Sequence, residues 1–165
     1  MRHGRHGAAS SLWHTEHRTD RDQMKQHDST DLPIVVIDGA TIESLADFYE
    51  EVSKGLMPDV DWKVSNLDGF NDVLRGGFGG PDGGFVLRWE HANRSRAVLG
   101  WPETIRYLEQ KLTRCHSSNV SAVRADLAAA RRAEGSTLFE ILVEIVREHG
   151  PGGCESEDNV LLELL

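Results

Sequence analysis

Two patterns of hydrophobic and polar residues alternate along this chain, and together they predict an α/β architecture. Three short segments are almost continuously apolar: 34–37, 85–89 and 160–164. Segments of this length and composition are typical of strands buried on both faces, as in a parallel sheet. Each pair of segments is separated by sequence with a helical hydrophobic period. We therefore expect a small three-stranded parallel sheet with right-handed crossovers, packed with helices.

The helical segments are marked by apolar residues three or four positions apart and by residues typical of helix ends. Ser44 and Asp47 form a capping-box pattern ahead of the first helix. Thr137 or Ser136 could cap the last helix. Between these helices, the segment 101–134 contains two amphipathic periods joined by a polar turn, and so it predicts a helical hairpin.

The segment 62–76 predicts a short helix with an acidic outer side. Its apolar residues recur at helical spacing: Leu67, Phe70, Val73 and Leu74. Ser65 or Asn66 could cap its start. Asp68 and Asp72 lie four positions apart, on adjacent turns, where like charges destabilise an isolated helix by a few tenths of a kcal/mol. Because fold stability alone does not favour this pair, we interpret it as a surface for a cationic partner.

Each residue of this acidic side also has a structural explanation. Asp68 lies in the first helical turn, where an acid complements the helix dipole, whereas Asp72 lies beyond that turn. Gly69 between them costs about 1 kcal/mol relative to alanine in a helix. Either the close approach of a partner or tolerance of glycine in a short helix would explain it.

A carboxylate pair at this spacing could alternatively bind a divalent metal or perform acid–base catalysis. However, no histidine, cysteine or serine is tied to the pair by local sequence, and no nucleotide or cofactor motif is present. The glycine-rich segment 76–84 lacks the lysine and the serine or threonine of a P-loop, and it leads into a strand. We therefore expect no catalytic residue, no cofactor and no bound metal.

Charge is distributed unevenly along the chain, and this narrows the class of partner. The net charge is −9 at pH 7, and residues 1–32 hold five basic and five acidic groups, so the whole excess lies in 33–165. An acidic surface argues against direct nucleic-acid binding. It favours attraction of a basic protein, although solubility is the ordinary explanation of such a charge.

The polar, histidine-rich segment 1–32 predicts a disordered tail in front of one domain, 33–165. The five histidines of this segment fit no metal-site spacing, and Met24 is a second candidate for the first residue. No signal peptide and no membrane-spanning segment are visible. Two cysteines, Cys115 and Cys154, do not form a disulfide framework, and so a cytoplasmic protein is expected.

The order of these elements resembles the barstar family, intracellular proteins that inhibit the ribonuclease barnase. The most specific motif is Asn66-Leu67-Asp68, followed by Asp72 and Leu74, which resembles the inhibitory helix of the family. Val36-Ile37-Asp38-Gly39 and Val86-Leu87-Arg88-Trp89 resemble its first two strands. The resemblance covers about 34–99 and 137–165 and leaves the hairpin as an insertion.

The resemblance implies that the acidic helix and the loop before it fill the active-site cleft of a ribonuclease, where carboxylates take the place of substrate phosphates. Asp72 would then be the main phosphate mimic, Asp68 would supply a second charge and Asn66 would set the loop. Trp62 would supply an aromatic contact, and Glu148 would reach an arginine at the rim of the cleft.

Three further residues belong to the implied interface. Gly69 lies between the two acids. Asn71 occupies the position where the type member of the family has an aromatic residue, and Phe78 is the nearest candidate for an aromatic residue displaced beyond the helix. These differences concern the identity of the partner more than the fold.

The expected function is therefore that of an immunity protein or antitoxin: a cytoplasmic monomer that forms a 1:1 complex with a secreted ribonuclease or a toxin domain. This hypothesis requires that Asp68 and Asp72 face outward and are not paired with arginines of the same chain. The alternatives are the carboxylate-pair enzyme and an interaction module that uses the hairpin as its surface. The hairpin is more basic than the rest of the domain through these residues: Lys111, Arg114, Arg124, Arg131 and Arg132.

Overall fold

Three parallel strands form one sheet in the structure, a computed structural model that describes residues 32–165. The strands are β1 (Ile34–Asp38), β2 (Phe85–Glu90) and β3 (Val160–Leu164), with β2 in the middle. The predicted α/β class and three-stranded parallel sheet are confirmed. The segment predicted to be a tail lies outside the described residues except for Leu32, as do its histidines and Met24.

Six α-helices connect and cover the strands within the described part of the chain. They are α1 (Leu45–Leu56), α2 (Leu67–Leu74), α3 (Ala92–Val98), α4 (Trp101–Arg114), α5 (Val120–Ala130) and α6 (Leu138–Glu148). The predicted hairpin is formed by α4 and α5, which a 3-10 turn joins at Ser117–Asn119. None of the described helices combines the length and the apolar character that crossing a membrane requires.

The sequence-predicted helix caps are present in the structure. The Ser44 hydroxyl accepts a hydrogen bond from the Asp47 N–H at the start of α1, at 3.3 Å. Thr137 and Glu140 form a reciprocal capping box at the start of α6. Such caps satisfy backbone donors that a helix start leaves free, and each typically contributes about 1 kcal/mol.

The expectation that the first strand is buried on both faces is wrong. Val35 and Ile37 are buried, but Ile34 and Val36 are 50% and 43% exposed. β1 is an edge strand, and its side chains alternate between a face covered by helices and a face open to solvent. The central strand β2 matches the expectation better, since its first three residues are all buried.

Aromatic packing positions α2 on the sheet. Phe70 of α2 contacts Phe48 of α1 edge-on, with ring centroids 5.1 Å apart. Phe48 in turn lies 5.0 Å from Trp89 of β2, which lies 5.0 Å from Phe139 of α6. Because Phe70 points into this cluster, the opposite side of α2 faces outward.

The hairpin is joined to the rest of the domain at the start of α4. Glu103, which is buried, accepts a hydrogen bond from the Leu45 N–H at 2.9 Å and pairs with Arg106. The Thr104 hydroxyl accepts a hydrogen bond from the Leu138 N–H at 2.9 Å. Two adjacent side chains of α4 therefore satisfy backbone donors at the starts of α1 and α6, which fixes the position of the hairpin.

We predict that Glu103→Ala lowers the free energy of unfolding by about 1–3 kcal/mol, because it leaves a buried N–H without an acceptor. The matched control is Glu109→Ala, which removes an exposed carboxylate paired with Arg131 on the same helix and should cost less than about 0.5 kcal/mol. Urea denaturation of both variants measures the difference. Equal losses would show that the contact between Glu103 and Leu45 does not hold the hairpin.

Candidate protein-binding site

The outer side of α2 forms the centre of the candidate site. Asn66 is the N-cap residue, and its Oδ1 accepts a hydrogen bond from the Gly69 N–H at 2.7 Å. Asp68 and Asp72 are both exposed, while the opposite side of the helix is buried in the core. The predicted separation of an acidic outer side from an apolar inner side is therefore confirmed.

An aromatic pair borders this acidic side. Trp62, from the loop before α2, stacks on Phe78, from the loop after it, with ring centroids 5.9 Å apart and an angle of 28° between the rings. They are 46% and 43% exposed, which is unusual for side chains of this size. The structure thus brings together two residues that the sequence predicted separately for the interface.

Gly69 is explained by the close approach of Trp62. A Cβ atom at this position would lie 3.3 Å from Cη2 of Trp62 and 3.4 Å from Oδ1 of Asn66. Gly69 is itself buried. This differs from both explanations drawn from the sequence, because the residue that needs the space is Trp62 of the same chain.

The two aspartates of α2 differ in their surroundings. The side chain of Asp68 makes no hydrogen bond and no ion pair with any other residue of 32–165. In contrast, Oδ1 of Asp72 accepts a hydrogen bond from Nη1 of Arg75 at 2.7 Å. The expectation that neither acid pairs with an arginine of the same chain therefore holds for Asp68 and is wrong for Asp72.

The stronger partner of Arg75 is Glu155, in the loop after α6. Nε and Nη2 of Arg75 donate to the two carboxylate oxygens of Glu155 at 2.6 and 2.7 Å. This interaction with Arg75 holds the pKa of Glu155 below its ordinary value. The paired hydrogen bonds fix the orientation of the guanidinium, whereas a single contact reaches Asp72, whose side chain remains 52% exposed.

Asn71 faces the protein interior rather than the acidic side. Its Oδ1 lies 3.1 Å from Nε2 of His149, which is fully buried, and Nδ1 of His149 lies 2.7 Å from Oδ2 of Asp158. The contact joins α2 to the residue that follows α6. Asn71 therefore supports the position of α2 and adds no aromatic surface to the acidic side.

Among the described residues, one group of at least three side chains has ligand atoms close enough together to hold a metal ion: His149, Glu155 and Asp158, with these atoms within 4.8 Å of one another. Both oxygens of Glu155 are occupied by Arg75, and Asp158 is hydrogen-bonded to His149. These contacts satisfy the group without a metal ion. Neither aspartate of the acidic side belongs to it.

Glu148, the last residue of α6, lines a groove of about 710 Å³ together with Asn71 of α2 and Glu155 of the loop after α6. Its carboxylate accepts a hydrogen bond from the Cys154 N–H at 2.9 Å, and this contact, followed by the Cys154 thiol, lowers the pKa of Glu148. The side chain is thus turned toward its own loop. A Cβ at Gly153 would collide with the Glu148 backbone, and so glycine is needed for this close packing.

Three residues that shape the site were not predicted from the sequence: Arg75, Glu155 and His149. Arg75 and Glu155 are 80 positions apart, and Asn71 and His149 are 78 positions apart. No local spacing could connect them. The sequence did signal one of these contacts: Arg75 follows Asp72 by three positions, a spacing at which an acid and an arginine on one helix can form an ion pair.

The fold and the site are those of a small α/β domain with an acidic, aromatic-flanked helix at its surface. A family model described as "Barstar (barnase inhibitor)" matches residues 32–121, more than half of the chain. The chain therefore belongs to the barstar family. The match includes the loop with Trp62, α2 and Phe78, and it leaves Glu148 outside. No curated protein and no solved structure matches the chain.

We predict that Arg75→Met raises the pKa of Glu155 toward its ordinary value, since it removes the hydrogen bonds that lower it. A lowered pKa contributes stability at neutral pH that is lost as the pH falls through that pKa, and so the variant should lose more stability at neutral pH than in acid. Carboxyl chemical shifts followed by NMR titration measure the pKa. In the control Arg88→Met, which breaks a pair with Glu163, the pKa of Glu155 should not change.

Proposed function

We propose that this protein inhibits a small basic ribonuclease by placing the outer side of α2 in the enzyme's active-site cleft. Membership of the barstar family supports this function. The main structural support for this function is that the carboxylate of Asp68 is exposed and has no partner among residues 32–165. Asp68 lies on α2, the helix that resembles the inhibitory helix of the family. In this proposal the protein is a stoichiometric inhibitor and not an enzyme.

The chemistry of the partner follows from what a ribonuclease must bind. A cleft that accommodates the RNA backbone is lined with cationic side chains, and carboxylates can occupy the positions of the phosphates. Asp68 supplies such a charge directly. Asp72 supplies a second one when a cation of the partner competes with Arg75 for its exposed carboxylate. Because Asp72 is paired with Arg75, the requirement that both acids be free of the chain's own arginines is not met, and the proposal rests first on Asp68 and only second on Asp72.

The aromatic pair formed by Trp62 and Phe78 supplies the apolar part of the interface. Exposed aromatic side chains beside charged groups are typical of the residues that dominate binding energy. Because the two rings are already stacked on each other and Trp62 rests on Gly69, they lose little freedom on binding. Asn66 contributes by holding the start of α2.

The overall charge favours rapid association with such a partner. A net charge of −9 on the inhibitor attracts a basic enzyme over distances longer than any contact. Salt screens this attraction, and so the association rate should fall as ionic strength rises.

We include in the proposal a cytoplasmic location, an immunity or antitoxin role, a 1:1 complex, and the division into a tail, 1–32, and a domain, 33–165.

The direct test is a titration of this protein against a panel of small basic ribonucleases that includes barnase, with a fluorogenic RNA substrate. For at least one enzyme, activity should fall in proportion to added protein and vanish near a 1:1 ratio. If no enzyme of the panel is inhibited by a tenfold excess at micromolar concentration, the proposed function is wrong.

Asp68→Ala should raise the dissociation constant for the inhibited ribonuclease about 30-fold, since a lost hydrogen bond between charged groups costs about 2 kcal/mol. Asp126→Ala is the matched control, because Asp126 is an exposed aspartate on α5 that makes no ion pair within 32–165. Isothermal titration calorimetry of both variants gives the ratio. Similar effects of the two substitutions would contradict the role of α2.

Arg75→Met should tighten binding severalfold, since it frees Asp72 and removes a positive charge beside the carboxylates, while the contacts of Phe70 with Phe48 and of Asn71 with His149 still hold α2. Arg88→Met removes the same charge from the sheet, at a pair with Glu163, and so corrects for the change in long-range attraction. Surface plasmon resonance of both variants separates association from dissociation. Weaker binding of Arg75→Met would show that the ordered Arg75 helps the interface rather than competing with it.

A further inference from the structure

A cleft of about 770 Å³ lies between the starts of α1 and α2 and one side of α4. Asp68 lines this cleft from α2, and Lys111 and Arg114 line it from α4. The hairpin is therefore next to the acidic side of α2, and a partner bound there would meet both. We call this feature the α2–α4 cleft.

The cations of the α2–α4 cleft stand out from the rest of the domain. The hairpin segment 101–134 holds six basic and four acidic residues, while the domain as a whole is strongly acidic. Three of the hairpin arginines pair with acids of the hairpin itself: Arg106 with Glu103, Arg131 with Glu109 and Arg132 with Glu134. Lys111 and Arg114 make no ion pair within residues 32–165, and both line the cleft.

A buried hydroxyl in the same cleft also has no partner. Tyr49 lines the cleft and is only 6% exposed, and its hydroxyl makes no hydrogen bond in the described part of the protein. Burial raises the pKa of this hydroxyl, and Tyr107 and Asp68, which line the same cleft, raise it further. A buried hydroxyl without an acceptor is unfavourable, and so the wall of the cleft is incompletely satisfied at Tyr49.

The wall of the cleft is held in place before any partner arrives. Glu103 of α4 accepts the Leu45 N–H, and Thr104 of α4 accepts the Leu138 N–H. These contacts anchor the helix that carries Lys111 and Arg114 to the starts of α1 and α6. A preformed wall reduces the entropy lost on binding, as expected for part of an interface.

We propose that α4 is the second half of the ribonuclease-binding surface, and that the partner carries an acidic segment beside its basic cleft which enters the α2–α4 cleft and binds Lys111 and Arg114. This inference rests on the proposed function. A purely basic surface docked on Asp68 would bring cations against these two unpaired cations, which is unfavourable. A partner that places its acidic segment on Lys111 and Arg114 and its cations on Asp68 satisfies both walls of the cleft, and this makes α4 a determinant of which ribonuclease is bound.

The double variant Lys111→Glu with Arg114→Glu tests the inference by the sign of its effect. The probe is the ribonuclease that the panel shows to be inhibited most strongly. Long-range attraction alone predicts tighter binding, since the inhibitor becomes more acidic. If an acidic segment of the partner binds Lys111 and Arg114, the dissociation constant of the double variant should instead rise at least tenfold. The control is Arg124→Glu with Arg132→Glu, which changes charge equally on residues that do not line the cleft and should not weaken binding.

Unchanged or tighter binding of the cleft variant would overturn the inference. Asp68→Ala, measured on the same probe, separates this result from failure of the proposed function: if it loses affinity while the cleft variant does not, α2 binds the enzyme and α4 does not contribute. A second arm replaces acidic residues at the rim of the ribonuclease cleft with lysine. One such replacement should restore binding to the cleft variant, and no restoration by any of them would also overturn the inference.

Discussion

The attachment of α2 to the domain is the constraint on which the candidate site depends. An isolated helix of eight residues is not stable in water, and so its shape must come from tertiary contacts. Phe70 anchors its inner side against Phe48, and Arg75 joins its last turn to Glu155 with two hydrogen bonds. The acidic side is therefore presented in a fixed orientation before a partner binds, which limits the entropy lost on association.

The same attachment limits the charge that α2 can offer. The guanidinium that binds Glu155 also reaches Asp72, so a contact that positions the helix partly neutralises one of its two acids. Asp68, one turn earlier, makes no ion pair with this arginine. The two acids therefore differ in their surroundings although their spacing makes them look equivalent. An interface that depends on both must replace an internal ion pair with an intermolecular one, and one that depends on Asp68 does not.

Features determined by neighbours in sequence could be predicted, and features determined by distant residues could not. The caps at Ser44, Asn66 and Thr137 and the inner and outer sides of α2 follow from spacings of three or four residues. The exposure of β1 depends on strand order, which an apolar segment does not encode. The contacts of Arg75 with Glu155 and of Asn71 with His149 join residues 80 and 78 positions apart in sequence. The need for glycine at position 69 depends on the position that the Trp62 ring takes in the folded chain.

The proposed recognition of a ribonuclease raises a problem of selectivity that an acidic α2 alone would not solve. Every enzyme that binds an RNA backbone has a cationic cleft, so an acidic helix is complementary to many such enzymes. Discrimination has to come from groups that favour one partner and penalise the others. In the proposed complex this part falls to Lys111 and Arg114, which make no ion pair within 32–165 and lie on a helix that Glu103 and Thr104 hold beside the acidic side of α2. On this proposal, changes in α4 would alter the choice of partner while α2 keeps its chemistry.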